Sequence, residues 1–313
     1  MTYVIIKQRK EELMKIVTKI EEADYITHSG TMHTDDVFAT AFLDLYKKDI
    51  KLIRVKEITD TVKKGALIYD IGRGEYDHHQ EDAKIRENGI KYSSFGLLFN
   101  EFGREYLKEQ EIEEVETVFN TMDKELIEGI DAVDNGVFPE INAIYKVKTL
   151  DDIIKSCNPS YGSSQNENDQ FIKAVELAKI IFQETLSNII GKTKARKIIL
   201  EKIATTTEPY LELDEYIPYE ETILKSENAS HILFALYPSN RGGYGIKTIK
   251  KSSEDKTDRL SFPEEWAGLE KEQLENVSGI KDIEFCHSGR FLVICKTKQA
   301  AYKVLDKVLH QTE

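Results

Sequence analysis

Cysteine is scarce in this sequence, and its three copies follow no recognisable pattern. Cys157, Cys286 and Cys295 show neither the paired spacing of a zinc site nor the arrangement of a secreted disulfide framework. We therefore expect buried or incidental thiols in a reducing compartment, which favours a cytoplasmic protein.

Long apolar runs are missing too, although 40% of the 313 residues are hydrophobic and suffice for full cores. No uninterrupted apolar stretch approaches the roughly 18 residues that would indicate a transmembrane helix. The N-terminus becomes charged after six residues, unlike a signal peptide. We expect no membrane association.

Positive charge is in deficit, with 43 basic against 56 acidic residues and a formal net charge of −13. Non-specific affinity for long nucleic acid comes mainly from Lys and Arg on phosphates, so the balance argues against a protein that coats such polymers. A short oligonucleotide or a nucleotide remains compatible, because metal ions can meet its phosphates.

Strand-like and helix-like segments alternate through the first two thirds of the chain, and short strand-like runs with turns follow. This pattern predicts an α/β fold with a doubly wound, mainly parallel sheet in residues 1–205 and a smaller α+β domain in residues 206–313. The predicted strands of the first domain are 23–26, 52–55 and 67–71. Its predicted helices are 10–22, one opening at Asp35, one from Ser93 or Ser94 to near Gly103, one from Val115 running toward Asp131 and Asp134, and a long one from Asn168 or Asp169.

Histidine and carboxylate residues are concentrated between Tyr25 and Gln80, a stretch that holds four of the seven histidines. Two of the groups follow strand-like runs, and the carboxyl ends of parallel strands are where ligands bind in such sheets. Imidazole and carboxylate together suit Mn, Zn or Fe. The sequence therefore predicts a metal site among His28, His33, His78 and His79 with Asp35, Asp36, Asp70 and Asp77.

Each member of this set also has an ordinary explanation when it is taken alone. Acidic residues at positions 35 and 36 favour the start of a helix, and Asp35 could merely cap it. A single histidine near a turn is usually solvated or part of a core. It is the combination at strand ends, joined by Asp134 from a later helix end, that favours a metal site.

Several motifs resemble one known family. Asp77-His78-His79 matches the signature of the DHH phosphoesterase superfamily. HSGTMHTDDVFA, YDIGRGEYDHHQ, SSFGLLFNEFG and DAVDNG resemble its melanocyte-proliferating-gene branch, as do FPEEWAGL and FCHSGRFLVICKT near the end of the chain. Members of that family include a 3′–5′ RNA exonuclease.

The resemblance implies two Mn²⁺-like ions and assigns their ligands by position. His28 and His33 would bind one ion, with Asp70 as the bridge to the other. The second ion would be bound by Asp35, His78 and Asp134, and Asp134 is preferred over Asp131.

The resemblance also implies catalytic and substrate-binding residues. His79 would face the scissile phosphate as a hydrogen-bond or proton donor, and Asp77 would orient a histidine unless it only caps a loop. In the second domain, Arg241-Gly-Gly would meet substrate unless it is a plain hairpin turn. We expect Trp266 to be a packing anchor. The implied substrate-facing residues are Arg241, Gly242, Gly243, His287, Ser288 and Arg290.

We therefore expect a metal-dependent phosphodiesterase of the 3′–5′ exonuclease type, acting on short RNA or single-stranded nucleic acid in the cleft between the domains. Hydrolysis of a small nucleotide, dinucleotide or pyrophosphate is the alternative reaction. A non-catalytic nucleotide-binding protein would have lost metal ligands, yet all six are present. Mn²⁺ is the expected metal, with Mg²⁺, Zn²⁺ and Fe²⁺ open, as is a homodimer.

Overall fold

The computed structural model describes residues 14–47, 49–59 and 61–310. Contacts between Cα atoms divide the chain into two compact units, one up to Gly191 and one from Lys192. The assignment of residues 1–205 to metal binding and of 206–313 to substrate binding stays a prediction.

The first unit contains a four-stranded sheet in which every pair of neighbouring strands is parallel, in the order β1-β3-β2-β4. Tyr25 of β2 pairs with Leu52 of β3 on one side and with Leu67 of β4 on the other. This register places the carboxyl ends of β2 and β4 side by side. The strands are β1 (Lys15–Ile16), β2 (Tyr25–His28), β3 (Lys51–Val55) and β4 (Leu67–Ile68).

Helices supply most of the core of the first unit. Phe42 is fully buried, and its ring centroid lies 5.5 Å from that of Phe99 and 5.9 Å from that of Phe182. A π-helical turn, Asp123–Ile127, joins α3 to α4. The helices are α1 (Thr34–Tyr46), α2 (Ser94–Glu109), α3 (Val115–Met122), α4 (Glu128–Asp134), α5 (Leu150–Lys155) and α6 (Glu167–Thr205), the last of which continues into the second unit.

The second unit contains a five-stranded mixed sheet in the order β5-β6-β7-β9-β8, parallel only between β5 and β6. Trp266 is fully buried and stacks on Phe262, which confirms its role as a packing anchor. The strands are β5 (Tyr210–Glu212), β6 (Phe234–Pro238), β7 (Tyr244–Thr248), β8 (Ile283–Cys286) and β9 (Leu292–Cys295), and the helices are α7 (Glu220–Lys225), α8 (Lys271–Ser278) and α9 (Lys298–His310).

The α/β fold class is confirmed, and so is the mainly parallel first sheet. The predicted helix over residues 10–22 is wrong where the structure describes it. Lys15 N–H donates to Ile50 O at 3.0 Å and Val17 N–H to Leu52 O at 2.8 Å, so pairing with β3 outweighs a weak helical spacing. Residues 10–13 of that prediction lie outside the described residues.

One predicted helix end is also wrong. Helix α2 continues past Gly103 to Glu109. A Cβ at Gly103 would lie only 3.0 Å from the rings of Phe99 and Phe119, so glycine here permits close helix packing and does not end the helix. The helix predicted from Val115 toward Asp134 forms, with the π-helical turn Asp123–Ile127 between α3 and α4.

Cys286 and Cys295 are buried, Cys157 is half-buried, and all three are free thiols. Among the residues that the structure describes, no helix has both the length and the apolar character needed to cross a bilayer.

Candidate metal centre

The predicted histidine–carboxylate cluster forms at the carboxyl ends of β2 and β4 and at the start of α1. His28 is the last residue of β2, and Asp70 follows β4 by two residues. His33 immediately precedes α1. Neighbouring parallel strands end at the same edge of the sheet, and this geometry brings residues 42 positions apart into contact.

Asp70 lies between two histidines. Its Oδ2 is 3.1 Å from His28 Nε2, and its Oδ1 is 3.2 Å from His78 Nε2. The backbone of Asp70 has φ 56°, a left-handed conformation that costs a non-glycine residue free energy. The backbone therefore holds this carboxylate in a strained conformation. Each of its oxygens contacts a different histidine, which is the arrangement expected of a bridging ligand.

Asp36 belongs to the cluster although it was not among the predicted ligands. Its Oδ1 accepts a hydrogen bond from His33 N–H at 2.9 Å, which is the expected helix-capping contact. Its Oδ2 lies 3.1 Å from His28 Nε2, and the side chain is fully buried. The capping explanation was correct for one oxygen and missed the other.

His78 brings the remaining carboxylates together. Its Nε2 lies 3.1 Å from Asp134 Oδ2 and 3.7 Å from Asp35 Oδ2. Asp35 is fully buried, and its Oδ2 accepts a hydrogen bond from Ser94 Oγ at 2.7 Å. All six predicted ligands thus converge, whereas their assignment to particular ions stays a prediction.

Three overlapping groups of side chains have ligand atoms within 4.8 Å of one another. In and beside these groups, the buried Asp35 Oδ1 lacks a hydrogen-bond partner, and Asp36 Oδ2 and Asp70 Oδ2 contact only His28 Nε2, at 3.1 Å. An unsatisfied buried polar group costs about 1–3 kcal/mol, and coordination of a divalent cation would remove that cost. The groups are His28 with His33 and Asp70, Asp70 with His78 and His79, and His33 with Asp35 and Asp134.

The second nitrogen of His28 also fits a metal ligand. Its Nδ1 lies 3.2 Å from Ser29 O, and a metal-binding histidine usually donates its other N–H to a carbonyl or carboxylate. Arg54, which is buried in β3, donates from Nε to His28 O at 3.2 Å and from Nη2 to Gly30 O at 3.0 Å. Arg54 was not predicted, and it fixes the loop that carries His28.

The electrostatics of the cluster are dominated by buried negative charge. Burial and then repulsion from Asp70 and Asp134 raise the pKa of Asp35 well above its ordinary value. Burial acts to raise the pKa of Asp70 as well, but hydrogen bonds from His28 and His78 outweigh it and lower that pKa to about 2. Burial lowers the pKa of His28, yet Asp36 and Asp70 outweigh this effect and raise it to about 11.

Asp77 both caps a loop and orients His79. Its Oδ2 accepts the N–H of Arg73 at 2.6 Å, which is the capping contact. Its Oδ1 lies 2.6 Å from His79 Nδ1, which is the orienting contact. Burial acts to raise the pKa of Asp77, but the hydrogen bond to His79 outweighs it, so the pKa is lowered and the carboxylate stays ionised. The side chain of His79 is 55% exposed.

Asp131 is placed differently from Asp134. It is fully buried, pairs with Arg86, and accepts hydrogen bonds from Ser93 Oγ at 2.6 Å and Gly96 N–H at 3.1 Å. A Cβ at Gly96 would lie 2.0 Å from Asp131 Oδ2, so only glycine fits there. The side-chain oxygens of Asp131 are engaged by these partners, so the geometry supports Asp134 over Asp131 as the metal ligand.

The predicted substrate residues of the second unit lie in two hairpin loops. Arg241, Gly242 and Gly243 connect β6 to β7, and Ser239 N–H donates to Gly243 O at 2.9 Å as in a tight turn. A Cβ at Gly243 would lie 2.3 Å from Cys295 O, so this glycine has a structural reason as well.

His287, Ser288 and Arg290 lie in the loop between β8 and β9, where Gly289 N–H donates to His287 Nδ1 at 2.9 Å. Tyr244 pairs with Cys295 and Lys247 with Leu292, so this loop and the 239–243 loop lie at opposite ends of the β7–β9 pair. Three residue steps separate these ends, about 10 Å along the strands. The two loops therefore lie apart along this strand pair.

The first unit has an α/β fold with histidines and carboxylates at the carboxyl edge of a parallel sheet. These features place the chain among α/β proteins with candidate metal-binding groups. A family model described as "Uncharacterised protein family (UPF0160)" and labelled MYG1_exonuc matches residues 24–309. The chain belongs to this family, which confirms the resemblance drawn from its motifs.

Individual relatives cover nearly the whole chain. The MYG1 protein of Dictyostelium discoideum is 28% identical over 91% of this chain and 96% of its own length. The MYG1 exonuclease of Homo sapiens is 27% identical over 91% of this chain and 85% of its own length. The MYG1 protein of Chlamydia pneumoniae is 28% identical over 90% of this chain and 95% of its own length. No solved structure matches the chain significantly.

Binding of Mn²⁺ is expected to release at least one proton per chain. With its pKa raised to about 11, the metal-free His28 is protonated at neutral pH, whereas a metal ligand must be neutral. Affinity should therefore rise with pH, roughly tenfold per unit for each proton released. Calorimetry at pH 7 in buffers of different ionisation enthalpy measures the number of protons.

The His28→Asn variant should release fewer protons, and His310→Gln, which removes an exposed histidine far along the chain, should behave as the wild type. A heat of binding that does not depend on the buffer would contradict the protonated state of His28.

Proposed function

We propose that this protein is a metal-dependent phosphodiesterase, a 3′–5′ exonuclease that acts on short RNA or single-stranded nucleic acid. The observation that carries the proposal is Asp70, whose two oxygens lie 3.1 and 3.2 Å from His28 and His78 within a buried cluster of further carboxylates. Several relatives are named MYG1 exonuclease, which supports a nucleic-acid substrate. The motifs that resemble the DHH superfamily support phosphodiester chemistry.

The proposed roles of the metal ligands follow from their contacts within the cluster. We assign His28 and His33 to one cation and His78 with Asp35 and Asp134 to the other, and Asp70 bridges. Two divalent cations, Mn²⁺ first among them, would supply an activated water and offset the charge that develops on the phosphate. Asp36 is an additional carboxylate near the first set, since its Oδ2 lies 3.1 Å from the same His28 Nε2 that Asp70 contacts.

His79 serves as the donor to the substrate in this proposal. Because Asp77 engages its Nδ1, the ring presents Nε2 outward, and the side chain is half-exposed where a substrate can reach it. An ionised Asp77 accepts a hydrogen bond from Nδ1 of His79 and so holds the ring in this orientation. His79 can then donate a hydrogen bond or a proton to the leaving oxygen.

We propose that the two loops of the second unit bind the substrate. Arg offers a two-pronged match to phosphate oxygens, and glycine lets the backbone approach closely. Because Arg241 and Arg290 lie at opposite ends of the β7–β9 pair, they would bind different parts of one substrate. This arrangement supports an oligomeric substrate over a single small phosphate.

The polarity and length of the substrate are tested with 5′-labelled RNA and DNA oligonucleotides of graded length in Mn²⁺. We expect a ladder that shortens stepwise from the 3′ end and disappears in Asp70→Asn, because the bridging carboxylate is lost. Turnover confined to dinucleotides or smaller phosphates would leave the metal centre in place and reject the polymer substrate. Shortening from the 5′ end would reject the proposed polarity.

The roles of His79 and Asp77 are tested by His79→Gln and Asp77→Asn. We expect kcat to fall by roughly 10²- to 10⁴-fold in His79→Gln, the usual loss for a general acid, while bound metal stays unchanged. Asp77→Asn should show a smaller fall in kcat, because the ring remains but loses its orienting carboxylate.

The neighbouring exposed carboxylate provides a matched control, and Glu75→Gln should keep wild-type rates. If His79→Gln loses its metal ions, or if kcat falls equally in Glu75→Gln, the donor role is wrong.

A further inference from the structure

Exposed apolar side chains are concentrated in one segment, residues 137–161, which we call the strap. The described residues include 14 large hydrophobic side chains that are exposed, and seven of them lie within these 25 positions. Soluble monomers rarely expose contiguous apolar surface without a binding role. The seven are Val137, Phe138, Ile141, Ile144, Tyr145, Ile153 and Tyr161.

The strap is attached to the candidate metal centre at both ends. It leaves α4 directly after Asp134, where Val137 N–H donates to Ala132 O at 2.8 Å. Near its other end, Asn158 accepts a hydrogen bond from Met32 N–H at 2.9 Å and donates one to Met32 O at 3.1 Å. Met32 immediately precedes His33, so this end of the strap is joined to the loop that carries a predicted metal ligand.

A second bond fixes the strap to the same loop. Thr34 Oγ1 donates to Asp151 Oδ1 at 2.7 Å. The strap is therefore held in place by the residues on either side of His33, and its exposed side chains are not the consequence of a free end.

The aromatic side chains of the strap are the most favourable contacts for unpaired bases. Phe138 is 68% exposed, Tyr145 is 73% exposed, and Tyr161 is fully exposed. Residues 138–149 form neither helix nor strand, so the rings are presented singly. Proteins that bind single strands use such separate rings, because every base has a face that can stack. An interface with a second copy of the chain would instead favour one continuous apolar face.

The charges around Tyr145 also favour nucleic acid. Lys146 and Lys148 are both exposed beside this ring, in a chain whose net charge is −13. Of the acidic residues in the strap, Asp151 pairs with Lys155 at 3.0 Å and Asp152 accepts the N–H of Thr149 at 3.0 Å, and Glu140 is exposed five positions before Tyr145. The strap thus combines aromatic rings with basic side chains, as single-strand binding sites do.

We infer that the strap binds the unpaired bases of a single-stranded nucleic acid whose end lies in the metal centre. Phe138, Tyr145 and Tyr161 stack on bases, and Lys146 and Lys148 approach the phosphates. The inference rests on the proposed function for its class of substrate, and it adds where the strand runs on leaving the reacting phosphate.

The test measures binding, which does not depend on turnover. Anisotropy of a fluorescent 12-nucleotide RNA is followed with Ca²⁺ in place of Mn²⁺, and a gel checks that the RNA stays intact. The double variant Phe138→Leu/Tyr145→Leu keeps apolar bulk and loses the rings. Phe138→Tyr/Tyr145→Phe keeps the rings. Ile180→Ala, an exposed site on α6 outside the strap, is the surface control.

We expect the double leucine variant to bind the single strand at least about 25-fold more weakly, since each of the two stacked rings is worth about fivefold or more. The ring-retaining variant and the surface control should bind within twofold of the wild type. A blunt duplex of the same sequence should bind weakly to every variant, because its bases are already stacked.

Equal affinity of the leucine variant and the wild type would overturn the inference. So would a wild-type dimer in analytical ultracentrifugation that the leucine variant dissociates with unchanged RNA affinity, because a second copy would then occupy the strap. If the wild type cleaves no RNA in Mn²⁺ and the leucine variant still loses affinity, the strap inference stands and the proposed exonuclease function fails.

Discussion

The crowding of buried carboxylates at one edge of a parallel sheet is the constraint on which the first unit depends. Asp35 and Asp36 are fully buried and Asp70 nearly so, and each ionised group loses its hydration at a cost of several kcal/mol. Burial raises the pKa of Asp35 and of Asp36, which shows that protein groups alone offset this cost only in part. Divalent cations would complete the neutralisation. Asp35 Oδ1, which has no hydrogen-bond partner, and Asp36 Oδ2 and Asp70 Oδ2, which contact only His28, indicate where they would bind.

The surrounding elements are arranged to keep these oxygen atoms in place. Ser94 at the start of α2 donates to Asp35, and the preceding Ser93 donates to Asp131. Asp131 is in turn held by Arg86 and lies one helical turn before Asp134 in α4. The motif SSFG is therefore a junction in which two serines and a close-packed glycine join α2, α4 and the metal ligands. Arg54 likewise fixes the end of β2 and the loop that follows it, through its hydrogen bond to His28 O.

The sequence predicted those features whose signal is local. His28 and Asp70 were identifiable because each follows a strand-like run, and the convergence of six ligands followed from strands that end at one edge. Asp36 was included in the predicted cluster but not assigned as a ligand, because an acidic residue at a helix start has an ordinary explanation and the contact of its second oxygen with His28 is visible only in three dimensions. Arg86 and Asp131 are 45 positions apart, and no periodicity relates them.

Elements that depend on tertiary pairing were the ones mispredicted or missed. Strand β1 has two residues, and only its pairing with β3 distinguishes it from a helical turn. The separation of the Arg241 and Arg290 loops follows from the register of β7 with β9, which sequence patterns do not contain. The exposed rings of the strap have an ordinary spacing, so their exposure could not be foreseen.

The central claim is that the buried carboxylates form a site for two cations, and the most direct test counts them. Protein dialysed against excess Mn²⁺ and then desalted is analysed by elemental mass spectrometry, with Asp70→Asn prepared in parallel. The account predicts two bound ions per chain in the wild type and loss of at least one in the variant, because one carboxylate serves both histidines. A wild-type chain that retains no metal, or a variant that retains as much as the wild type, would contradict it.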